Sequence, residues 1–210
     1  MIRVLIVDDH PLMRRGLRET LESAVGMKVV AEATRCEEVI SAMRTTPCDI
    51  VLLDLSLPGR GGLDVLKDIG REWPSIPVLI VSSYAESQYA LRAIQAGAAG
   101  YLSKTTVAEE LVDAVRTVVK TGGYINDAVG AELARFATRG NSGPAHNRLS
   151  ERECQVLQRL VAGRSVSEIA SIMSLSAKTI STYRVRLMQK LGIHTTADLV
   201  RYAIEHRLDG

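Results

Sequence analysis

The sequence predicts an α/β domain built on a central parallel sheet, followed by a smaller all-helical domain. Three observations carry this reading. Over residues 1–121, short apolar runs alternate five times with amphipathic stretches, the pattern of a parallel sheet covered by helices on both faces. From Leu149 onward the chain shows helical caps and no strand pattern. Between them, Thr138 to Arg148 (with Gly140, Asn141, Ser142, Gly143 and Pro144) has no hydrophobic period and reads as flexible linker. The domains are placed at 1–121 and 149–210, joined by a linker over 122–148 that includes a short helix. With 210 residues, 46% of them hydrophobic but only one Phe and one Trp, the cores are aliphatic.

Taken in order, strands are predicted at Ile2–Val7, Lys28–Glu32, Asp49–Leu53, Pro77–Val81 and Ala99–Leu102. Helices follow at 10–23, 35–45, 62–72, 86–96 and 106–121. In 86–96, Leu91 and Ile94 keep helical spacing and Gly97 stands at the stop. Gly122-Gly123 ends the fifth helix, and Val129, Leu133 and Phe136 predict a linker helix over 126–137.

In the tail, Ser150 with Glu153 and Ser165 with Glu168 fit capping boxes, opening helices that run to Ala162 and Met173. Ser176 caps a third helix, 177–191, stopped by Gly192, and Thr195 caps a fourth, 196–207. Two short helices joined by Ser174-Leu175-Ser176, then a longer basic one, is helix-turn-helix grammar.

The formal charge of +2 hides an asymmetry. Residues 1–122 hold 14 Lys+Arg against 16 Asp+Glu, whereas residues 148–210 hold 10 against 6. A basic tail fits an anionic partner for that half alone. The longest apolar stretches are strand-sized and the start lacks a signal-peptide pattern, so a soluble cytoplasmic protein with no membrane partner is expected. Cys36, Cys48 and Cys154 are far apart and have no nearby His at ligand spacing, which predicts reduced structural thiols.

Chemistry gathers at the strand ends. Asp54 closes the run Ile50-Val51-Leu52-Leu53, and Asp8-Asp9, Ser82 and Lys104 close others. Open parallel sheets present ligand sites at the carboxyl ends of their strands. In strand order 2-1-3-4-5, Asp8, Asp9 and Asp54 converge on one rim. Three carboxylates so close repel, and Mg²⁺ suits such an all-oxygen site. One carboxylate left free to attack phosphorus gives an acyl phosphate. Lys104 and Ser82 supply the ammonium and hydroxyl that bind phosphoryl oxygens.

These residues resemble a known family. Val7-Asp8-Asp9-His10, Leu53-Asp54-Leu55, Leu57-Pro58-Gly59, Val81-Ser82-Ser83, Ala96-Gly97-Ala98 and Gly100-Tyr101-Leu102-Ser103-Lys104 are similar to the receiver domain of two-component response regulators, over essentially all of residues 1–121. The resemblance implies a flavodoxin-like (βα)₅ fold in which Asp54 accepts a phosphoryl group from a sensor histidine kinase or phosphotransfer protein. It implies Mg²⁺ on Asp8, Asp9 and Asp54 with a backbone carbonyl from Ser56, and switch positions at Ser82 and Tyr101. One departure is Thr105, where the family commonly has a Pro after a cis bond. A cis peptide there costs about 2.5–4 kcal/mol, and its geometry is left open. Tyr84 is placed to shield the phosphoryl group from water.

The tail has its own resemblance. Leu149-Ser150-Glu151-Arg152-Glu153, Ser167-Glu168-Ile169-Ala170, Lys178-Thr179-Ile180-Ser181-Thr182-Tyr183 and Lys190-Leu191-Gly192 look like the LuxR-type helix-turn-helix, over 148–208. Together the two halves resemble the NarL/FixJ class, leaning toward its GacA/UvrY or BvgA/EvgA branch. By that pattern Ser181, Thr182 and Val185 meet bases of double-stranded DNA, while Lys178, Thr179, Arg184, Arg186 and Lys190 meet phosphates. Leu199, Ala203 and Ile204 resemble the family's dimer contact, which implies a homodimer on phosphorylation, with RNA polymerase as a further partner. Function is then phosphorylation-dependent transcriptional regulation, with no enzymatic activity beyond the receiver's own phosphoryl transfer and loss. An Asp-nucleophile phosphatase is the rival, but it needs a second acid two residues after Asp54, where Ser56 stands. An orphan regulator using the receiver only for dimerisation or ligand binding is the other; the intact Asp8-Asp9-Asp54-Ser82-Lys104 set speaks against it. Flavin binding rests on fold analogy alone.

Overall fold

The computed structural model describes residues 1–58, 61–83, 86–105, 108–139, 145–206 and 208. The chain divides into two compact units, Met1–Arg135 and Phe136–Gly210. The first holds a five-stranded parallel sheet in the order β2-β1-β3-β4-β5, with β1 Ile2–Val7, β2 Met27–Ala33, β3 Ile50–Leu53, β4 Val78–Ser82 and β5 Gly100–Ser103. Helices α1 Pro11–Ser23, α2 Cys36–Thr45, α3 Gly62–Glu72, α4 Glu86–Gln95 and α5 Ala108–Thr121 follow the strands in turn. Every residue of β3 and β4 is buried, which is why those segments read as continuous apolar runs rather than alternating ones. One core cluster joins Ile6, Ile50, Leu52, Leu79 and Leu102 of the sheet to Leu17 and Leu21 of α1 and Val115 and Val118 of α5. The three cysteines are free and buried.

After α5 the chain differs in detail from the sequence reading. Helix α6 spans Asp127–Arg139, two residues past the predicted stop, and the cut between the two units falls within it. Tyr124 forms a parallel bridge to Gly100 on the free edge of β5, a backbone pairing that leaves no hydrophobic period in the sequence. A 3₁₀ turn over Ala145–Arg148 was also not predicted, four residues being too few to show a period. Gly140 to Pro144 lie outside the described residues.

The second unit is helical: α7 Glu151–Val161, α8 Val166–Ile172, α9 Ala177–Leu191 and α10 Thr196–Glu205. Its caps are those the sequence announces. Ser150 and Ser165 form complete capping boxes with Glu153 and Glu168, and Ser176 and Thr195 accept from Thr179 N–H and Asp198 N–H. Gly192 closes α9 at φ 67°, the left-handed conformation that favours glycine. Ile169, Ile180, Leu187, Leu191, Leu199 and Ala203 are buried among the helices.

Candidate functional site

The site is built by register. Val7 pairs with Leu53, so Asp8 and Asp54 leave the sheet side by side at its carboxyl rim, and Asp54 N–H donates to Val7 O at 2.8 Å. Ser82 pairs with Ser103, and Lys104 N–H donates to Ser82 O at 2.9 Å, which brings Lys104 to the same rim. Gly62 matters here: a Cβ on it would lie 2.6 Å from Leu55 Cα and 2.8 Å from Asp54 O, so α3 begins pressed against the Asp54 loop.

Lys104 Nζ lies 2.7 Å from both Asp54 Oδ2 and Asp8 Oδ2, and the three side chains are almost wholly buried. Asp54 Oδ1 accepts from Ser56 N–H at 3.0 Å, and Asp8 Oδ1 from His10 N–H at 2.8 Å. Burial pushes the Asp54 carboxyl above its ordinary range, with Asp8 adding to it, and Lys104 and Ser56 offset this only in part. Burial also opposes the Lys104 charge, but Asp54 and Asp8 outweigh it and hold the ammonium above its usual value.

Ligand atoms of Asp8, Asp9, His10 and Asp54 lie within 4.8 Å of one another, a cluster able to hold a divalent cation. The donor set fits one: the buried Asp9 Oδ1 has the His10 ring 2.8 Å away, and the buried Asp8 Oδ2 has the Lys104 ammonium at 2.7 Å, so the carboxylate oxygens gather where a cation would add charge. His10 was not singled out from sequence; its place between Asp9 and Pro11 was the available signal. Ser82 and Tyr101 are fully buried on β4 and β5. There is no cis peptide bond among the described residues, Lys104-Thr105 included. Tyr84 and Gly59 lie outside the described residues.

In the second unit, Lys178, Ser181, Thr182, Val185, Arg186, Gln189 and Lys190 are exposed along one face of α9, while Ile180, Leu187 and Leu191 face the core. Several of these polar groups have local partners. Thr179 N–H is capped by Ser176, Thr182 Oγ1 donates to Lys178 O at 3.0 Å, and Arg184 Nη2 reaches Thr196 Oγ1 at 3.0 Å. Lys190 Nζ sits 2.7 Å from Glu153 Oε2, so its charge is compensated within the unit. Of the residues read as a dimer contact, Leu199 and Ala203 are 0% exposed inside their own unit and Ile204 is 60% exposed.

Glu153 is a structural hub that sequence reasoning took only as a cap. It is 2% exposed, accepts Ser150 N–H at 2.6 Å and ties α7 to Lys190 of α9. Burial works against its charge, but Lys190 and the Ser150 N–H prevail and hold the carboxyl below its ordinary range. Its stabilising contribution is therefore present above the ordinary carboxylate range and lost as pH falls through the depressed value. Glu153→Ala is expected to destabilise the fold by about 2 kcal/mol, the sum of a lost cap and a half-exposed ion pair. Glu153→Gln, which keeps an acceptor for Ser150, is expected to cost roughly half that. Urea titration with helical circular dichroism measures both.

A parallel sheet with an acidic cluster and a lysine on its rim, followed by a helix-turn-helix, is the architecture of a response regulator. The chain belongs to that family: residues 4–116 match the response regulator receiver domain and residues 147–203 match the bacterial regulatory proteins of the luxR family. It is 39% identical over 210 residues to the response regulator UvrY of Escherichia coli K12, covering 99% of this chain and 96% of that one. It is 36% identical over 208 residues to the response regulator GacA of Pseudomonas aeruginosa, covering 98% and 97%. Among solved structures it is similar to RcsB from Salmonella enterica serovar Typhimurium bound to promoter P1flhDC in the presence of phosphomimetic BeF3⁻, with TM-score 0.66 and 26% identity over 96% of this chain and 97% of that one. No helix among the described residues is long and apolar enough to cross a membrane.

Proposed function

We propose that Asp54 is the phosphoacceptor of a cytoplasmic transcription regulator whose DNA binding depends on that phosphorylation. The observation that carries this is the convergence of Asp54 with Asp8, Asp9 and Lys104 on one sheet rim. An Asp54 carboxylate oxygen attacks phosphorus, the donor's leaving group departs, and an acyl phosphate remains. The donor is a histidine kinase or a phosphotransfer protein. Asp8, Asp9 and Asp54, with the Ser56 carbonyl, would hold Mg²⁺, which supplies neutralising charge for the phosphoryl oxygens. Lys104, already 2.7 Å from Asp54, binds those oxygens directly, and Ser82 adds a hydroxyl donor. As Ser82 turns toward those oxygens, Tyr101, buried on the adjoining strand, is the second switch position and repacks with it.

In the second unit, Ser181, Thr182 and Val185 meet base edges in the major groove, and Lys178, Thr179 and Arg186 meet phosphates. Arg184 and Lys190 support this surface and approach phosphates from positions held by Thr196 and Glu153. A single module of this size binds weakly, so two copies on adjacent half-sites are required, with Ile204 at the dimer contact and RNA polymerase as a further partner. RcsB, a structural relative, supports the DNA reading through its promoter complex. The test is to incubate the chain with acetyl phosphate and Mg²⁺, then measure intact mass and sedimentation. One added phosphoryl group and a shift toward dimer are expected. A folded protein that stays unmodified at saturating Mg²⁺ would refute the reading.

A further inference from the structure

The chain that leaves the receiver is hydrogen-bonded to the strand that carries the switch. Gly122, at φ +86°, turns the chain back after α5, and Thr121 Oγ1 secures the turn on Gly123 O at 3.0 Å. Tyr124 then lies along the outer edge of β5: its N–H donates to Ala99 O at 2.7 Å, and it bridges Gly100 in parallel. Ala99 N–H in turn donates to Val78 O at 2.8 Å, so one row of peptide hydrogen bonds runs from β4 through Ala99 to Tyr124. The Tyr124 side chain packs against the main core, and its hydroxyl donates to Glu110 Oε1 of α5 at 3.2 Å. Gly100 has no alternative here. A Cβ on it would sit 2.6 Å from Tyr124 O and 3.0 Å from Leu79 Cδ1. The position after Gly100 is Tyr101, and Lys104 stands three residues beyond that.

We propose that Tyr124 and Gly100 are positioning residues that couple the phosphorylation site to the DNA-binding unit. On the function proposed above, a phosphoryl group on Asp54 comes between that carboxyl and the Lys104 ammonium 2.7 Å away, so Lys104 and the end of β5 that carries it must shift. A segment bonded to β5 one residue from Tyr101 moves with that strand. The same segment runs into α6: Asn126, just before the helix, accepts Val129 N–H on its Oδ1 at 2.9 Å, and Val129 is fully buried. The displacement is thus handed to α6, the helix within which the chain passes from the first unit to the second, through backbone bonds. Pairing also covers what is otherwise an open sheet edge, so the segment has two arrangements, seated or released, and the receiver's state biases between them.

The probe is a duplex enriched from a random-sequence pool by the phosphorylated full-length protein. Its affinity is measured with and without acetyl phosphate, with intact mass confirming occupancy. The wild type is expected to bind at least about fivefold more tightly when phosphorylated, the low end of ordinary coupling. Gly100→Ala is expected to be phosphorylated to the same extent, while its two affinities fall within about twofold of each other. Tyr124→Pro, which deletes the N–H donated to Ala99 together with the tyrosine side chain, covers the case in which Gly100→Ala fails to fold and is expected to behave likewise, with Tyr124→Ala, which loses the same side chain but keeps the N–H, as its control. Tyr124→Phe keeps the backbone pairing and should keep the full ratio. Undiminished coupling in phosphorylated Gly100→Ala or Tyr124→Pro would overturn the proposal. A wild type that is phosphorylated but shows no change in affinity would overturn the functional reading as well, which separates the two failures.

Discussion

The Asp54→Asn variant will take up no phosphoryl group from acetyl phosphate and, in metal-free buffer near neutrality, will be more stable than the wild type. The first effect follows from removing the attacking oxygen, and intact mass reads it as all or none. The second follows from the direction of the Asp54 shift. Its carboxyl is 1% exposed and held above its ordinary range, first by burial and then by Asp8. A group whose folded-state value is raised contributes stability below its unfolded value, and that contribution is lost as pH rises through the folded one. At neutrality the charged form therefore costs the fold something, and asparagine stands in for the protonated form.

The expected gain is about 1 kcal/mol, the ordinary size of a stabilising substitution that relieves an unfavourable charge. It should shrink in mildly acidic buffer, where the wild type gains its own proton. It should shrink as well when Mg²⁺ is added, because a cation that binds only the folded acidic cluster stabilises the wild type by mass action. Urea titrations of both proteins, with and without Mg²⁺, decide this. A variant less stable than the wild type in metal-free neutral buffer would mean that the Lys104 pair outweighs burial.

What the sequence made legible was local, and what it hid was long-range. The strands β3 and β4 announce themselves because burial on both faces demands unbroken apolar runs. The caps at Ser150, Ser165, Ser176 and Thr195 sit within three residues of the groups they satisfy. Asp54 and Lys104 were readable as strand-terminal chemistry, and parallel pairing then brings residues 50 positions apart to 2.7 Å. Three features had no such signal. Lys190 reads as one more cation on a basic face, and only its meeting with Glu153, 37 residues away, shows it compensated. Leu199 and Ala203 have the same helical spacing whether they face a partner or their own core, and the fold puts them in the core. Tyr124 follows two glycines in a segment with no period, and its pairing is made by main-chain atoms that every residue carries.

Replacing Lys104 by methionine should have the opposite sign from Asp54→Asn and a larger size. The Lys104 side chain is 6% exposed and is the cation shared by two carboxylates that are themselves 2% and 1% exposed. Methionine keeps most of the volume and removes the charge, leaving Asp8 and Asp54 buried together with no counter-ion. Removing one partner of a buried ionic cluster costs about 3–5 kcal/mol. In metal-free neutral buffer Lys104→Met should be destabilised by that order. Acid should restore much of the loss, because Asp54, pushed still higher by the missing ammonium, takes up a proton. Mg²⁺ should restore it too, and at lower concentration than the wild type needs, since the ammonium no longer competes for the same oxygens. Phosphorylation by acetyl phosphate should persist, the nucleophile being intact, but slow by roughly 10²–10³-fold with the loss of a positioned cation. Stability and rate therefore separate: Mg²⁺ repairs the fold of Lys104→Met without repairing its rate. A variant whose rate returns to the wild-type value at saturating Mg²⁺ would reduce Lys104 to a structural counter-ion, and the role assigned to it on the phosphoryl oxygens would fall.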